Sequence, residues 1–373
     1  MYEPVALQSD PALFLAANSP DMPVYFFAPA ILDAHLAQFR AGFDGLVTFA
    51  VKANPDEAVI ARLCAGGIAG FDVASPDEIA LIRRLCPVAA LHYNNPVRSR
   101  AEIAFGIAAG VASWSVDDAG ELAKLIAAGV ADCEIAVRFK LAVGGAAYDF
   151  GAKFGADEDA AVDLLRQVAQ AGFTPALTFH VGTQCRDPQA YVTYIHAAAR
   201  IAARAGVTIE RLNVGGGFPS ARDGTPLDMQ RFFDAIHSAV DAFPKRPALV
   251  CEPGRGLVAD SHAYGVQVKS LRAGRVYLND GIYGGLSEFP SMIVPRFHVV
   301  SHDGVARCGA ADPRIVFGPT CDSIDQLPNP LPLPFDLEEG DWIVFSAMGA
   351  YLNGVTTRFN GYGDRFSVTV DHL

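Results

Sequence analysis

From about residue 47 the chain alternates short apolar runs with amphipathic segments, the pattern of βα units wound around a parallel sheet. Eight runs stand out: Val47–Lys52, Gly70–Ala74, Ala90–Asn94, Ala112–Val116, Glu134–Phe139, Ala176–Val181, Glu210–Val214 and Ala248–Glu252. Each but the last is followed by a segment that reads as a helix, and a further helix over about Ile31–Phe39 leads into the first run. Eight parallel strands are the number that closes a (β/α)8 barrel. Helix starts are marked by Ser75 before Pro76 and Glu78, by Ser99 three residues before Glu102, and by Asp187 before Pro188. Past Val258 the pattern changes to short alternating strands broken by Gly and Pro, as in AYGVQVKSLR, GRVYLND, RFHVVSHDG, RIVFGPT, DWIVFSAMG and DRFSVTVDHL. The segment NPLPLPFD (329–336), with three prolines, reads as a loop. The expected architecture is a barrel over 27–258 and an all-β domain over 259–373, with residues 1–26 joining the latter.

Composition narrows the partners. A chain of 373 residues that is 51% hydrophobic has ample core for two domains. The net charge of −12 and the lack of any Lys/Arg run exclude nucleic acid and anionic membrane as partners, and leave cationic small molecules attractive. Seven scattered cysteines without a C-x-x-C pair suggest neither a disulfide framework nor a zinc site, so no metal is expected and a reducing compartment fits. No segment is long and uncharged enough to span a bilayer, and MYEPVALQSD has no basic stretch followed by an apolar core. A cytoplasmic location is therefore expected.

In a (β/α)8 barrel the chemistry is built where strands end. The residues at those ends are Lys52, Asp72, Asn94, Ser115, Arg138, His180, Gly215–Gly217, and Glu252 with Arg255. Lys52 is either a lysine reaching solvent from the barrel mouth or an amine poised to form a Schiff base, and alone it does not separate the two. Gly215, Gly216 and Gly217 offer unhindered N–H groups after the seventh run, where this fold places phosphate, and Gly254 and Arg255 follow the eighth. Glu252 could hold a pyridine nitrogen protonated or pair with Arg255. His180 could be a core histidine or lie flat against an aromatic cofactor.

These motifs, in this order, resemble the ornithine, lysine, arginine and diaminopimelate decarboxylases of the alanine-racemase-like, pyridoxal-phosphate (PLP) fold, and most of all the ornithine decarboxylases. The likeness runs from FAVKANP (49–55) through GFDVASPDEI, HVGTQ, NVGGGFP, CEPGR, NDGIYG and GPTCDSID to MGAYLNGVTTRFNGY (348–362). It implies that Lys52 holds PLP, that His180 stacks on its ring and that Glu252 pairs with its pyridine nitrogen. Asp72 and Arg138 would flank the ring-hydroxyl side, while Thr183, Gly217, Gly254, Arg255 and Tyr351 would bind the phosphate. In a head-to-tail homodimer the second subunit would supply Cys321 to protonate the α-carbon. Asp280, together with Asp322 from that subunit, would receive the distal amine, with Phe359 against the methylene chain, and Lys153 would bridge to Asp325. The implied activity is conversion of L-ornithine to putrescine and carbon dioxide, a step of polyamine biosynthesis.

The alternative is L-lysine, or lysine and ornithine alike, since one methylene is worth only about 1–3 kcal/mol in such a pocket. Arginine and diaminopimelate decarboxylation, and a catalytically dead regulator, are further readings. The distal carboxylate of diaminopimelate would meet the two acids as a like charge, and the intact cofactor set speaks against a regulator. Three departures from the family are visible: residues 140–155 carry Gly151 where a Ser is usual, Leu352 stands for a Thr, and His92 and Tyr93 precede Asn-Pro.

Overall fold

The computed structural model describes residues 10–141 and 153–373. It divides into two compact units, one of His35–Pro219 with Leu227–Gly256, the other of the N-terminal segment to Ala34, Ser220–Pro226 and Leu257–Leu373. Relative to the sequence-based boundaries, the second unit therefore also takes Phe27–Ala34, the loop 220–226, and Leu257 with Val258.

The chain enters through α1 (Pro11–Asn18), β1 (Val24–Phe27) and α2 (Pro29–Gly42). Then β2 (Leu46–Ala50), β3 (Gly70–Val73), β4 (Ala90–Tyr93), β5 (Ser113–Val116), β6 (Glu134–Arg138), β7 (Thr174–Thr178), β8 (Arg211–Asn213) and β9 (Ala248–Cys251) close a barrel in sequence order. Every pairing is parallel, and Leu46 and Val47 beside Val250 and Cys251 seal it. The helices between them are α3 (Glu57–Ala65), α4 (Pro76–Leu85), α5 (Arg100–Ala108), α6 (Ala119–Ala127), α7 (Glu158–Gln170), α8 (Gln189–Ala205) and α9 (Met229–Ala239). After β9 only a single turn, α10 (Arg255–Val258), follows, which explains why no periodic pattern marks it.

Local chemistry sets the helix starts. Ser75 accepts from the Glu78 N–H, and Ser99 and Glu102 form a reciprocal capping box. At α8 the expected cap is displaced by one residue: Pro188 holds the N-cap position, although Asp187 still accepts from the Gln189 N–H at 2.9 Å. Outward-facing strand residues such as Phe49, Phe71, Leu91 and Trp114 are fully or almost fully buried, each stabilising the barrel by roughly 1.5–3 kcal/mol.

The second unit is built on β10 (His262–Arg272), β11 (Arg275–Leu278), β12 (Phe297–Val300), β13 (Ala311–Phe317), β14 (Leu331–Pro334), β15 (Trp342–Phe345) and β16 (Phe366–Thr369). They pair in the order β12-β15-β10-β11-β13-β14, with β1 joining β10 and β16. One sequence expectation fails here: NPLPLPFD is not a loop, because β14 lies within it and pairs antiparallel with β13. The prolines are tolerated because β14 ends the sheet, where a strand needs ladder partners on one side only. The core gathers Tyr264, Val266, Leu278, Phe289, Leu333, Ile343 and Phe345. A buried carboxylate, Asp341, accepts from Arg307 at 2.8 and 2.9 Å and from the His302 N–H. Burial pushes its pKa up, but Arg307, His302 and the Glu338 backbone N–H overcome that and hold it at about 2.

The cysteines bring a second correction. Cys64 of α3 and Cys86, just after α4, form a disulfide with Cα atoms 6.3 Å apart, inside the range such a bond needs. The other five, Cys133, Cys185, Cys251, Cys308 and Cys321, are free thiols.

Candidate active site

The C-terminal rim of the barrel gathers most of the residues picked from the sequence. Lys52 sits in the single 3-10 turn Val51–Ala53 that follows β2, one step beyond the strand in which it was expected. Its Nζ lies 3.1 Å from Oδ2 of Asp72 on β3; the lysine side chain is 46% exposed and the aspartate 2%. Asp72 Oδ1 is buried and has no hydrogen-bond partner among the described residues. A buried carboxylate with one oxygen on an amine and one unspent can orient that amine and accept a further donor.

Across the rim, β9 delivers Glu252, which is 7% exposed. The amides of Asn94, just past β4, and Asn213, at the end of β8, both donate to its Oε1. No hydrogen bond to Oε2 is formed among the described residues. Burial, and then the neighbouring Asp72, push the Glu252 pKa up to about 8, while Asn213, Lys52 and Arg138 pull the other way. Asn213 also anchors the glycine loop, because its Oδ1 accepts from the Gly215 N–H at 2.9 Å.

That loop can only be glycine. Gly215 has φ +70°, and a Cβ there would stand 2.2 Å from the Phe179 carbonyl oxygen. Gly217 has φ +92°, and a Cβ would stand 2.5 Å from the Gly182 carbonyl oxygen. From below, the Tyr191 hydroxyl donates to Gly216 O at 2.8 Å. Gly254 and the 4%-exposed Arg255 follow β9 at the neighbouring strand end. Bare N–H groups beside a buried guanidinium suit a phosphate.

His180 follows β7, and its Nδ1 accepts from the Gly182 N–H at 3.0 Å, so the neutral ring carries its proton on Nε2. Burial, then the charges of Arg138 and Lys52, hold it well below the usual histidine range. It is therefore an uncharged ring. Arg138, at the end of β6, has its guanidinium 5.1 Å from the Phe154 ring centroid, and Thr183 is half-buried on the loop after β7. Glu78 was read from the sequence only as a cap residue. It accepts from the Ala74 N–H at 2.7 Å, and burial, with Asp72 nearby, pushes its pKa up to about 7. Its place near the Lys52–Asp72 pair follows from the path of α4, which no local motif reveals.

The remaining candidates belong to the β unit. Tyr351 has φ +61°, an uncommon left-handed backbone for a non-glycine residue. Cys321 is exposed, and its N–H donates to Asn360 Oδ1 at 3.0 Å. Asp322 accepts from the Tyr283 hydroxyl at 2.6 Å, and the Tyr283 ring lies 4.9 Å from that of Phe359, which is 41% exposed. Asp280 is 2% exposed, its Oδ2 accepts from Tyr264 at 2.5 Å and from the Gly285 N–H at 2.6 Å, and it lines a small cavity together with Phe359. Asp325, 1% exposed, accepts from the Ile282 N–H, the Thr320 N–H and the Thr320 O–H within its own chain. Residues 142–152, which hold Gly151 and most of the segment expected to set pocket length, lie outside the described residues.

Residues 30–259 match the family model for the pyridoxal-binding domain of pyridoxal-dependent decarboxylases. The chain is 31% identical to an ornithine decarboxylase of Panagrellus redivivus over 84% of its own length and 77% of the relative's. Among solved structures it is similar to the arginine decarboxylase of Paramecium bursaria Chlorella virus, with a TM-score of 0.87, 28% identity and coverage of 96% and 98% of the two chains. A lysine/ornithine decarboxylase from Vibrio vulnificus complexed with cadaverine follows at TM-score 0.83, 26% identity, and 96% and 97% coverage. The donor set fits the cofactor these proteins share: an amine on a buried carboxylate, a bare glycine cradle beside an arginine, and a buried glutamate with one oxygen unspent. The chain belongs to the pyridoxal-dependent decarboxylases.

Proposed function

We propose that the protein decarboxylates L-ornithine to putrescine and carbon dioxide, with L-lysine the runner-up substrate. The observation that carries the cofactor half of this reading is the rim of Lys52, Asp72, His180, Gly215–Gly217, Glu252 and Arg255 on one end of one barrel. Bound there, pyridoxal phosphate supplies the electron sink that loss of carbon dioxide from an α-amino acid requires. Lys52 holds the cofactor, and Asp72 orients the lysine amine and keeps a carboxylate ready for its proton. Glu252 Oε2 holds a proton at the pyridine nitrogen. The neutral His180 ring would stack on the cofactor without adding charge. Thr183, Gly254, Arg255 and Tyr351 join the glycine N–H groups on the phosphate, and Arg138 guards the ring-hydroxyl side.

Substrate choice is read from the β unit. Asp322, an acid on an exposed loop beside Phe359, and Asp280 would together suit a side chain that is a methylene chain ending in a cation. A neutral side chain would leave those carboxylates unpaired. In this reading a second copy of the chain supplies Cys321, Asp322 and Phe359, so the working form is a homodimer, and the Cys321 thiol gives its proton to the α-carbon. The amino acid plus one proton yields the amine plus carbon dioxide, so the reaction balances without an oxidant. The ornithine decarboxylases among the relatives support this substrate, and the arginine and lysine/ornithine enzymes among the structural neighbours keep the class at basic amino acids. Five of the seven cysteines are free thiols, and Cys64 and Cys86 form the one disulfide. No helix among the described residues is long and apolar enough to cross a membrane.

The test is carbon dioxide release from PLP-loaded protein with L-ornithine, L-lysine, L-arginine and meso-diaminopimelate side by side. Ornithine turning over fastest, with lysine slower, is the expected result. Turnover of lysine or arginine ahead of ornithine would overturn the substrate, and turnover of none would overturn the activity.

A further inference from the structure

Glu252 must remain a carboxylate if it is to hold a proton on the pyridine nitrogen, yet it sits in a place that discourages charge. It is buried, and Asp72 faces it from β3; the cations nearby are Lys52 beyond β2 and Arg138 on β6, while His180 is neutral. Two amide donors converge on one oxygen of that carboxylate, from strands far apart in sequence. The Asn213 amide has its orientation dictated, because its oxygen already accepts from the Gly215 N–H. Asn94 is different. Its backbone is secured without its side chain, through the N–H bond to Val73 O at 3.2 Å. Among the described residues its side-chain oxygen is buried with no partner, and the one hydrogen bond its amide makes is the donation to Glu252. A buried amide that leaves its acceptor unsatisfied costs stability, and capping or packing does not explain why the chain keeps it.

We infer that Asn94 is a positioning residue for the cofactor: with Asn213 it commits Glu252 Oε1 to two amides, so that the carboxylate stays charged and presents Oε2 to the pyridine nitrogen. Asn94 touches no reacting atom and acts through Glu252. This deepens the proposed function and rests on it. Donors to the charged form favour that form. Removing one lets Glu252 take up a proton more readily, which draws the proton away from the ring and weakens cofactor binding. Asn94 is a cleaner probe than Asn213, whose amide also fixes the glycine loop.

The experiment uses full-length protein loaded with PLP labelled with nitrogen-15 in the ring, comparing the wild type with Asn94→Leu, which matches the shape and removes the donor, and Asn94→Gln, which restores an amide on a longer arm. The nitrogen-15 shift reports whether the pyridine is protonated, and the pH profile of turnover is recorded alongside. The wild type should show a protonated ring. Asn94→Leu should shift toward the unprotonated value, raise the PLP dissociation constant at least about tenfold, and move the acid limb of activity to higher pH. Asn94→Gln should recover part of each change. If Asn94→Leu does not accumulate as folded protein, Asn94→Ala carries the same comparison. A protonated ring and an unmoved acid limb in the donor-less variant, whatever its stability, would overturn the inference. Failure of the wild type to bind PLP would instead overturn the proposed function beneath it.

Discussion

Gly215 and Gly206 share a backbone conformation but not an environment, and the contrast makes the glycine cradle testable. Their φ values are +70° and +68°. A Cβ at Gly206, which ends α8, meets nothing within 4 Å, whereas one at Gly215 would lie 2.2 Å from the Phe179 carbonyl oxygen. Gly206→Ala should therefore cost only the left-handed conformation, about 1–2 kcal/mol. Gly215→Ala carries that cost plus a backbone clash. Side-chain carbons do not approach closer than 3.0 Å, so the loop and β7 must part by 3.0 − 2.2 = 0.8 Å. Overpacking of this kind adds about 1–3 kcal/mol. At about 2–4 °C per kcal/mol for a unit of this size, Gly215→Ala should melt several degrees below Gly206→Ala. The shift would also pull the Glu252 N–H from Gly215 O, now 2.8 Å apart. PLP affinity, read by absorption or fluorescence titration, should drop roughly a hundredfold in Gly215→Ala, as a displacement near 1 Å commonly does to a positioned group, and stay put in Gly206→Ala. Equal losses in the two variants, or full PLP affinity in Gly215→Ala, would refute the reasoning.

Other consequences follow from the β unit and the shared site. Mixing Lys52→Ala and Cys321→Ala proteins, each inactive, should regain part of the activity if two copies build one site, and no regain would count against that assembly. Asp280→Ala should both destabilise the protein by the cost of two orphaned donors, roughly 2–4 kcal/mol, and raise KM for ornithine, whereas Asp322→Ala should leave Tm in place and raise KM; an unchanged KM in either variant would remove that acid from the substrate. Asp341 is held below its unfolded pKa, so its contribution is present above that unfolded value, near 3.8, and is lost as pH falls toward 2. In an acid titration followed by circular dichroism, Asp341→Asn should accordingly lose the part of the unfolding that the wild type shows between those pH values. An unchanged acid transition would remove Asp341 from that role.

What was legible in the sequence is what periodicity and local chemistry encode. Eight apolar runs became eight barrel strands, with ends shifted by at most three residues, because parallel strands covered on both faces are written as continuous hydrophobic stretches. Lys52, Asp72, Glu252 and the glycines were legible because the barrel forces chemistry to strand ends. Contacts made at long range were not. Asp280 lies in NDG, which by itself marks only a turn, and only the fold brings Tyr264 and Gly285 onto its carboxylate. Asn94 was visible as a polar strand end, but its partner lies 158 residues away. The Cys64–Cys86 bond joins positions 22 residues apart, with no spacing motif to announce it. The edge strand in NPLPLPFD was hidden because three prolines argue against a strand wherever the sheet boundary is unknown.

The claim on which the rest depends is that Lys52 carries the cofactor. The direct measurement is reduction of the PLP-loaded protein with borohydride, followed by digestion and mass spectrometry of the peptides. A pyridoxyl group on Lys52, with loss of the visible absorption, is the result the account predicts. Label on another lysine, or none on a protein that binds PLP, would contradict it.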